Sequence, residues 1–160
     1  PKQYFDQGLD FVERCYEPDP QQHENGVFRY RPHASQSEPQ ITLANTASAT
    51  LTLILGGRHQ HEGVTTSVRW FLSRDYPSSW QNNYFYLASY YSSQAMAQVG
   101  GETWQQIFPQ IAANLLKEQT DSGAWPPGGA NERRYGSTYS TSLAVLALTP
   151  AYGLLPIYQR

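Results

Sequence analysis

The pattern of apolar and polar positions predicts a helical chain, because apolar residues recur three and four positions apart in most segments. Sustained alternation of apolar and polar residues, which would indicate strands, is missing, although the second segment is rich in threonine. Glycine pairs at 56–57 and 100–101 end the second and fourth segments as helix caps. We therefore expect an all-α fold with helices over residues 2–15, 41–55, 63–74, 84–99, 102–119 and 137–148.

Two kinds of helix alternate along this pattern. The first, third and fifth predicted helices carry charges on one face, whereas the second, fourth and sixth are almost uncharged and rich in Ala, Ser and Thr. A helix without a charged face is buried on most sides, and small side chains let neighbouring helices approach closely. We expect about three helical hairpins, over residues 1–57, 58–101 and 102–160, with the uncharged helices inside.

A turn after the fifth predicted helix combines Gln119, Gly123 and Trp125. Related patterns follow the first and third helices, where an aromatic residue, Phe28 or Trp80, lies two positions after Gly or Ser. The unit recurs after about 60 and then 44 residues. Units of this size that each contribute a helical hairpin are typical of repeat proteins.

On these residues the chain resembles the α/α-toroid family of terpenoid cyclases and protein prenyltransferases, in particular bacterial proteins with the prenyltransferase and squalene-oxidase repeat. Gln119-x-x-x-Gly123-x-Trp125 is similar to the Gln–Trp repeat of squalene cyclases, although Cys15 and Asp75 stand where the earlier repeats would have Gln. The resemblance implies part of an (α/α)6 barrel, as in the C-terminal part of such a protein. It also implies that the Gln amide lies beneath the Trp ring and bonds free backbone groups at neighbouring helix ends.

Composition argues against several classes of partner. The 160-residue chain has a net charge of −2 and no basic excess, so we expect no nucleic acid. Its longest apolar runs are too short to span a bilayer. Its single cysteine, Cys15, permits no internal disulfide, and the compartment stays unassigned. The chain begins at Pro1 without a methionine, so we expect that the natural N-terminus lies upstream.

The catalytic acid that the resemblance would require has no match in the sequence. In squalene cyclases an Asp-x-Asp-Asp motif protonates an alkene, and such an acid needs clustered carboxyls with one held protonated. Glu17 and Asp19 come nearest, but the prolines beside them predict an exposed loop. We therefore assign no catalytic residue and expect the chain alone to be inactive on squalene.

Histidines and the cysteine give only a superficial likeness to a metal site. Glu13-x-Cys15 with His59 or His61 is similar to the zinc ligands of protein prenyltransferases, but Cys15 closes an outer helix. The two histidines lie in a connecting loop, where a solvated turn is favoured over metal ligation. Motifs for a serine nucleophile or a phosphate-binding loop are missing, so we expect no metal and no cofactor.

Aromatic residues are the strongest chemical signal, with twelve Tyr, six Phe and four Trp. Several tyrosines begin the inner helices and could face a cavity, where their rings would suit an isoprenoid chain or a carbocation. The alternative is that they pack between helices with bonded hydroxyls. The candidate lining residues are Tyr84, Tyr86, Tyr90, Tyr91, Tyr135 and Tyr139.

Two functional hypotheses follow. The chain is either part of an isoprenoid-handling protein of the cyclase type, or a non-catalytic toroid module that binds a protein partner or a lipid. A carbohydrate-active barrel would need paired carboxylates on the inner helices, which carry none. Because three hairpins leave apolar edges uncovered, we expect a homodimer or association with another toroid segment.

Overall fold

The computed structural model describes residues 2–18, 26–32, 41–73 and 84–153. Within these ranges the chain is mostly helical, which confirms the helical class expected from the sequence. The helices are α1 (Lys2–Arg14), α2 (Leu43–Leu55), α3 (Glu62–Leu72), α4 (Phe85–Val99), α5 (Gly101–Glu118), α6 (Ala130–Arg133) and α7 (Gly136–Leu148). A 3₁₀ helix, Thr149–Tyr152, follows α7, and two short strands are β1 (Tyr16–Pro18) and β2 (Gly26–Phe28).

Local signals set the ends of these helices close to the predicted positions. The Thr42 hydroxyl caps α2 by accepting a hydrogen bond from the Asn45 amide at 3.0 Å, and His61 Nδ1 caps α3 by accepting one from Gly63. Between α4 and α5, Gly100 and Gly101 have φ of 72° and 56°. Glycine adopts this left-handed region without steric cost, so the pair ends one helix and starts the next.

The chain divides into two compact units, Pro1–Arg74 and Asp75–Arg160, called unit 1 and unit 2 here. Unit 1 contains α1, both strands, α2 and α3, and unit 2 contains α4 to α7. The third and fourth predicted helices, expected to form one hairpin over residues 58–101, therefore belong to different units.

Unit 1 is built around an apolar core. Leu9, Cys15, Phe28, Leu53 and Val64 pack together from α1, the strands, α2 and α3. The lone thiol is free and buried, and burial raises its pKa. Burying these side chains removes apolar surface from water, at roughly 25 cal/mol per Å². The core therefore stabilises the packing of these elements against one another.

The strand pair in unit 1 corrects the sequence-based expectation. Tyr16 pairs with Phe28 and Glu17 with Val27 in an antiparallel register, although the first segment was expected to be an exposed loop. Glu17 is half-buried and accepts a hydrogen bond from Arg29 Nη2 at 2.7 Å. Three-residue strands are too short to produce a detectable alternation of apolar and polar positions.

The first expected counterpart of the tryptophan turn is part of this strand pair. Phe28 is fully buried, and its amide donates to the Thr46 hydroxyl at 3.2 Å. It therefore packs in a sheet rather than closing a turn after a helix. The second counterpart, Trp80, lies outside the described residues, as do Asp19 and Asp75.

Unit 2 is organised around α4, which packs against both α5 and α7. The small residues of this helix are mostly buried, as expected for an inner helix. Its side chains also satisfy the end of α7, because Ser93 donates to the Ala147 carbonyl and Gln94 to the Leu146 carbonyl. The last carbonyls of a helix have no partner within it, so α4 acts as a side-chain cap for α7.

Candidate functional site

The turn after α5 brings Gln119, Gly123 and Trp125 together. Gly123 has φ of 82°, and the turn closes through the Thr120 amide, which donates to the Ala124 carbonyl at 2.9 Å. The Gln119 amide is exposed and donates to the Gly123 carbonyl at 3.0 Å. This differs from the arrangement implied by the resemblance, because the Gln amide is used inside its own turn.

Trp125 joins two helices of unit 2. Its ring is buried, and the indole N–H donates to the Leu115 carbonyl in the last turns of α5 at 2.7 Å. Its own carbonyl accepts from the Ser140 hydroxyl at 2.6 Å, and its amide donates to the Thr141 hydroxyl at 3.0 Å, both on α7. These contacts give Trp125 a structural role as a link between α5 and α7.

A buried carboxylate, Glu132 of α6, lies at the start of α4. One oxygen accepts from the Tyr86 amide at 2.8 Å and the other from the Gly128 amide at 3.3 Å. The amides of Leu87 and Gly129 also hydrogen-bond this carboxylate. The residue therefore ties the loop after Trp125 to the first turn of α4.

Glu132 replaces the missing N-terminal cap of α4. The first amides of a helix have no partner within it, and the residue before α4, Tyr84, provides no side-chain cap and has φ of 64°. A carboxylate here satisfies these amides and complements the positive end of the helix dipole. Burial raises the pKa of Glu132, and the four backbone amides that donate to it limit the rise.

No sequence signal marks Glu132 in advance. It follows two glycines in a short segment without helical periodicity, and the amide at 2.8 Å from it belongs to Tyr86, which is 46 positions away. Only information that couples distant sequence positions could have predicted the hydrogen bond between Glu132 and the Tyr86 amide.

Four of the predicted lining residues interact electrostatically with one another or with this carboxylate, and two of them are in ring contact. Burial raises the pKa of Tyr139, and the Glu132 carboxylate and the phenols of Tyr135, Tyr84 and Tyr91 raise it further, in that order. Tyr135 and Tyr139 lie one helical turn apart, with ring centroids separated by 4.9 Å. We call Tyr84, Tyr91, Tyr135 and Tyr139 the tyrosine cluster.

The other two predicted lining residues have different surroundings. Tyr86 is fully buried, and its hydroxyl donates to the Pro126 carbonyl at 2.8 Å. Desolvation, followed by the charges of Glu132 and Glu118, raises its pKa strongly. Tyr90 is half-buried beside Tyr91, with 4.9 Å between the ring centroids. Tyr86 is therefore a packing residue rather than part of an accessible lining.

The residues that resembled a zinc site have separate structural roles. His61 uses Nδ1 to cap α3, and Glu13 accepts from Arg58 at 3.1 Å. Across the four described ranges, no group of three His, Cys, Asp or Glu side chains could hold one metal ion.

Comparison of the chain with family models, with curated proteins and with solved structures gives no match. In the part of the chain that the structure describes, no helix has the length and apolar character needed to cross a membrane.

Proposed function

We propose that this chain is a ligand-binding helical module and that its tyrosine cluster holds a hydrophobic ligand such as an isoprenoid chain. The observation that carries the proposal is the contact between the Tyr135 and Tyr139 rings at the start of α7, with the phenols of Tyr84 and Tyr91 near enough to raise the pKa of Tyr139. Tyrosine rings offer apolar faces to a hydrocarbon chain and a polar rim to water. The same faces attract a positive charge.

Exposure favours a binding role over simple packing for this cluster. Tyr135 is 60% exposed and Tyr84 is 36% exposed, whereas Tyr86 nearby is fully buried. Adjoining apolar surfaces that stay in contact with water often mark a binding site. The alternative, that tyrosines only pack between helices, fits Tyr86 and its bonded hydroxyl.

We favour binding over catalysis because the Glu132 carboxylate already serves as the N-terminal cap of α4. A buried carboxyl with a raised pKa is a common form of general acid. Here, however, both oxygens accept hydrogen bonds from main-chain amides, and the residue is fully buried. Reaching a substrate would break the cap of α4.

The assignment to a terpenoid-cyclase-like α/α toroid is part of this proposal. It is supported by Trp125, which links α5 to α7, and by the buried small residues of α4. The internal hydrogen bond of Gln119 departs from the expected repeat. An experimental structure in which the second, fourth and sixth predicted helices line one cavity would test the assignment.

Ligand binding is tested by calorimetric titration of the chain with geranylgeraniol in detergent-free buffer. We expect saturable binding that the double variant Tyr135→Ala, Tyr139→Leu weakens about tenfold, since each aromatic contact is worth roughly 0.5–1.5 kcal/mol. The matched control is Tyr152→Ala, which removes a tyrosine that is 74% exposed in the same unit but outside the cluster.

Two outcomes would count against the proposal. One is titration without saturable heat, and the other is an equal loss of affinity in the Tyr152→Ala control. Palmitate serves as a straight-chain comparator. Equal affinity for both ligands would retain the hydrophobic site but remove the preference for an isoprenoid.

A further inference from the structure

A groove opens on unit 1 between α1 and α2, with a volume of about 200 Å³. Cys15 lines its floor and is buried, whereas Phe11 and Tyr30 lie at its rim and are 46% and 75% exposed. The other lining residues are Val12, Arg29, Asn45, Ser48, Ala49 and Thr52. The groove shares no residue with the tyrosine cluster of unit 2, so it is a separate candidate site.

Short side chains on α2 produce this groove. Positions 45, 48, 49 and 52 follow the i, i+3, i+4, i+7 spacing of one helical face and carry Asn, Ser, Ala and Thr. Helices α1 and α2 pack against each other, and side chains as short as these do not fill the space between them. The groove therefore follows from the sequence of a regular helix.

Hydrogen bonds hold the lining of the groove in place. The Arg29 amide donates to the Cys15 carbonyl at 2.9 Å, which fixes the segment after β2 beside the end of α1. On α2 the Ser48 hydroxyl donates to the Asn45 carbonyl at 3.0 Å, and the Thr52 hydroxyl donates to the Ser48 carbonyl at 2.8 Å. The groove is therefore formed before any ligand arrives, as is usual for small-molecule sites.

Charge in the lining is balanced. Arg29 is the one charged side chain among the described residues that line the groove, and its guanidinium donates to the Glu17 carboxylate at 2.7 Å. Burial raises the pKa of the Cys15 thiol, with a smaller opposing effect from the charge of Arg14. The floor is therefore a neutral thiol at neutral pH, and the lining as a whole suits an uncharged ligand.

We propose that this groove binds a small neutral aromatic molecule that carries a hydrogen-bond donor, such as an indole or a phenol. A cavity of about 150 Å³ holds benzene, whereas drug-sized ligands need about 300–1,000 Å³, so this volume suits one or two rings. The Phe11 and Tyr30 rings offer aromatic contacts at the rim. The Ser48 and Thr52 hydroxyls, which donate their own protons within α2, keep oxygen lone pairs that accept from a ligand donor.

Titration of the isotope-labelled full chain with indole, followed by NMR, tests the site. We expect saturable shifts at the amides of Val12, Cys15 and Ala49, with a dissociation constant on the order of 1 mM, as for other ligands of this size. Benzofuran has the same size without the N–H donor and should bind about threefold more weakly. Indole-3-carboxylate should also bind more weakly, because the groove has no free cation for its charge. Tighter binding of this anion would overturn the neutral class of ligand.

A variant that fills the groove gives the second test. Ala49→Met should weaken indole binding at least tenfold, and methionine is a good helix former at this half-buried position, so circular dichroism should show an unchanged helix content. Ala112→Met, at a half-buried position of α5, is the matched control and should leave binding unchanged.

The double variant Tyr135→Ala, Tyr139→Leu separates this site from the tyrosine cluster, since it should leave the shifts at the groove intact. Three results would overturn the proposal: no saturable shift at the groove amides up to about 10 mM indole, equal loss of binding in Ala49→Met and Ala112→Met, or loss of the groove shifts in the double variant.

Discussion

Unit 1 and unit 2 are both helical, but they differ in how many buried polar groups join their elements. In unit 1 the elements share an apolar core that includes Leu9, Phe28 and Leu53, and two buried hydrogen bonds add to it, from the Phe28 amide to Thr46 and from Ser67 to the Gly26 carbonyl. In unit 2 the helices are joined by buried polar groups that bond to backbone atoms, among them Glu132 and Ser93. Apolar contacts depend on volume, whereas hydrogen bonds depend on direction and are costly when one partner is left unpaired.

Because of this difference, we expect the two units to tolerate substitution differently. A core held by volume accepts another apolar side chain of similar size. A set of helices held by particular donors and acceptors loses stability when a single partner is removed. Four predictions test this comparison.

Trp125→Ala should have the largest effect. It removes a buried ring together with the donor to the Leu115 carbonyl, so we expect the free energy of unfolding to fall by about 3–5 kcal/mol. Urea denaturation measures the change. Trp125→Phe retains most of the ring and should recover more than half of the loss. An unchanged denaturation midpoint in Trp125→Ala would contradict the link between α5 and α7.

Glu132→Ala should come next. Removing the carboxylate leaves the Tyr86 and Gly128 amides without their acceptor, and we expect a loss of about 2–3 kcal/mol. Hydrogen exchange should reveal faster exchange at the first amides of α4. Glu102→Ala, at an exposed position in the first turn of α5, is the control and should have little effect.

Leu53→Met probes unit 1 and should cost less than about 1.5 kcal/mol, because the swap nearly conserves volume in an apolar core. Leu53 is fully buried, so Leu53→Ala is the comparison and should cost about 2–5 kcal/mol. Urea midpoints of the two variants measure the difference. Equal losses would mean that this core depends on one particular side chain as strictly as unit 2 does.

The pH dependence of Glu132 should be the smallest effect. Its pKa is raised above the ordinary value of 4.5, so the folded state binds this proton more tightly than the unfolded state. The group therefore contributes stability that is fully present below about pH 4.5 and is lost as the pH rises through the folded pKa.

Comparison of the wild type with Glu132→Gln isolates this group from the other carboxyls. The stability of the wild type relative to the variant should be greatest at and below about pH 4.5 and should decline as the pH rises from there through the folded pKa. A relative stability that rises with pH would mean that the backbone donors outweigh desolvation at this carboxyl.

The six longer helices and, to within two residues, their ends could be predicted from the sequence, since they depend on residues close together along the chain. The short helix α6 could not. Apolar spacing placed α4 at Phe85–Val99 within one residue of the predicted start, and the glycines after it supplied the stop. Trp125 was also identified locally, because glycine and tryptophan follow the end of a helix. The partners of Trp125 did not follow from the sequence. Its indole N–H donates to the Leu115 carbonyl, whereas its backbone amide and carbonyl bond Thr141 and Ser140 of α7.

Which distant groups lie in contact depends on the tertiary structure. The cap that Glu132 provides for α4 joins positions 46 residues apart, and no local pattern encodes such a pair. The same holds for the pairing of Tyr16 with Phe28, where strands of three residues carry too little periodicity. Tyr86 and Tyr139 both lie near the start of a predicted inner helix. The Tyr86 hydroxyl donates to the Pro126 carbonyl, whereas Tyr139 belongs to the tyrosine cluster. Helix formation is governed by neighbours in the chain, whereas burial and the choice of hydrogen-bond partner are governed by packing between helices.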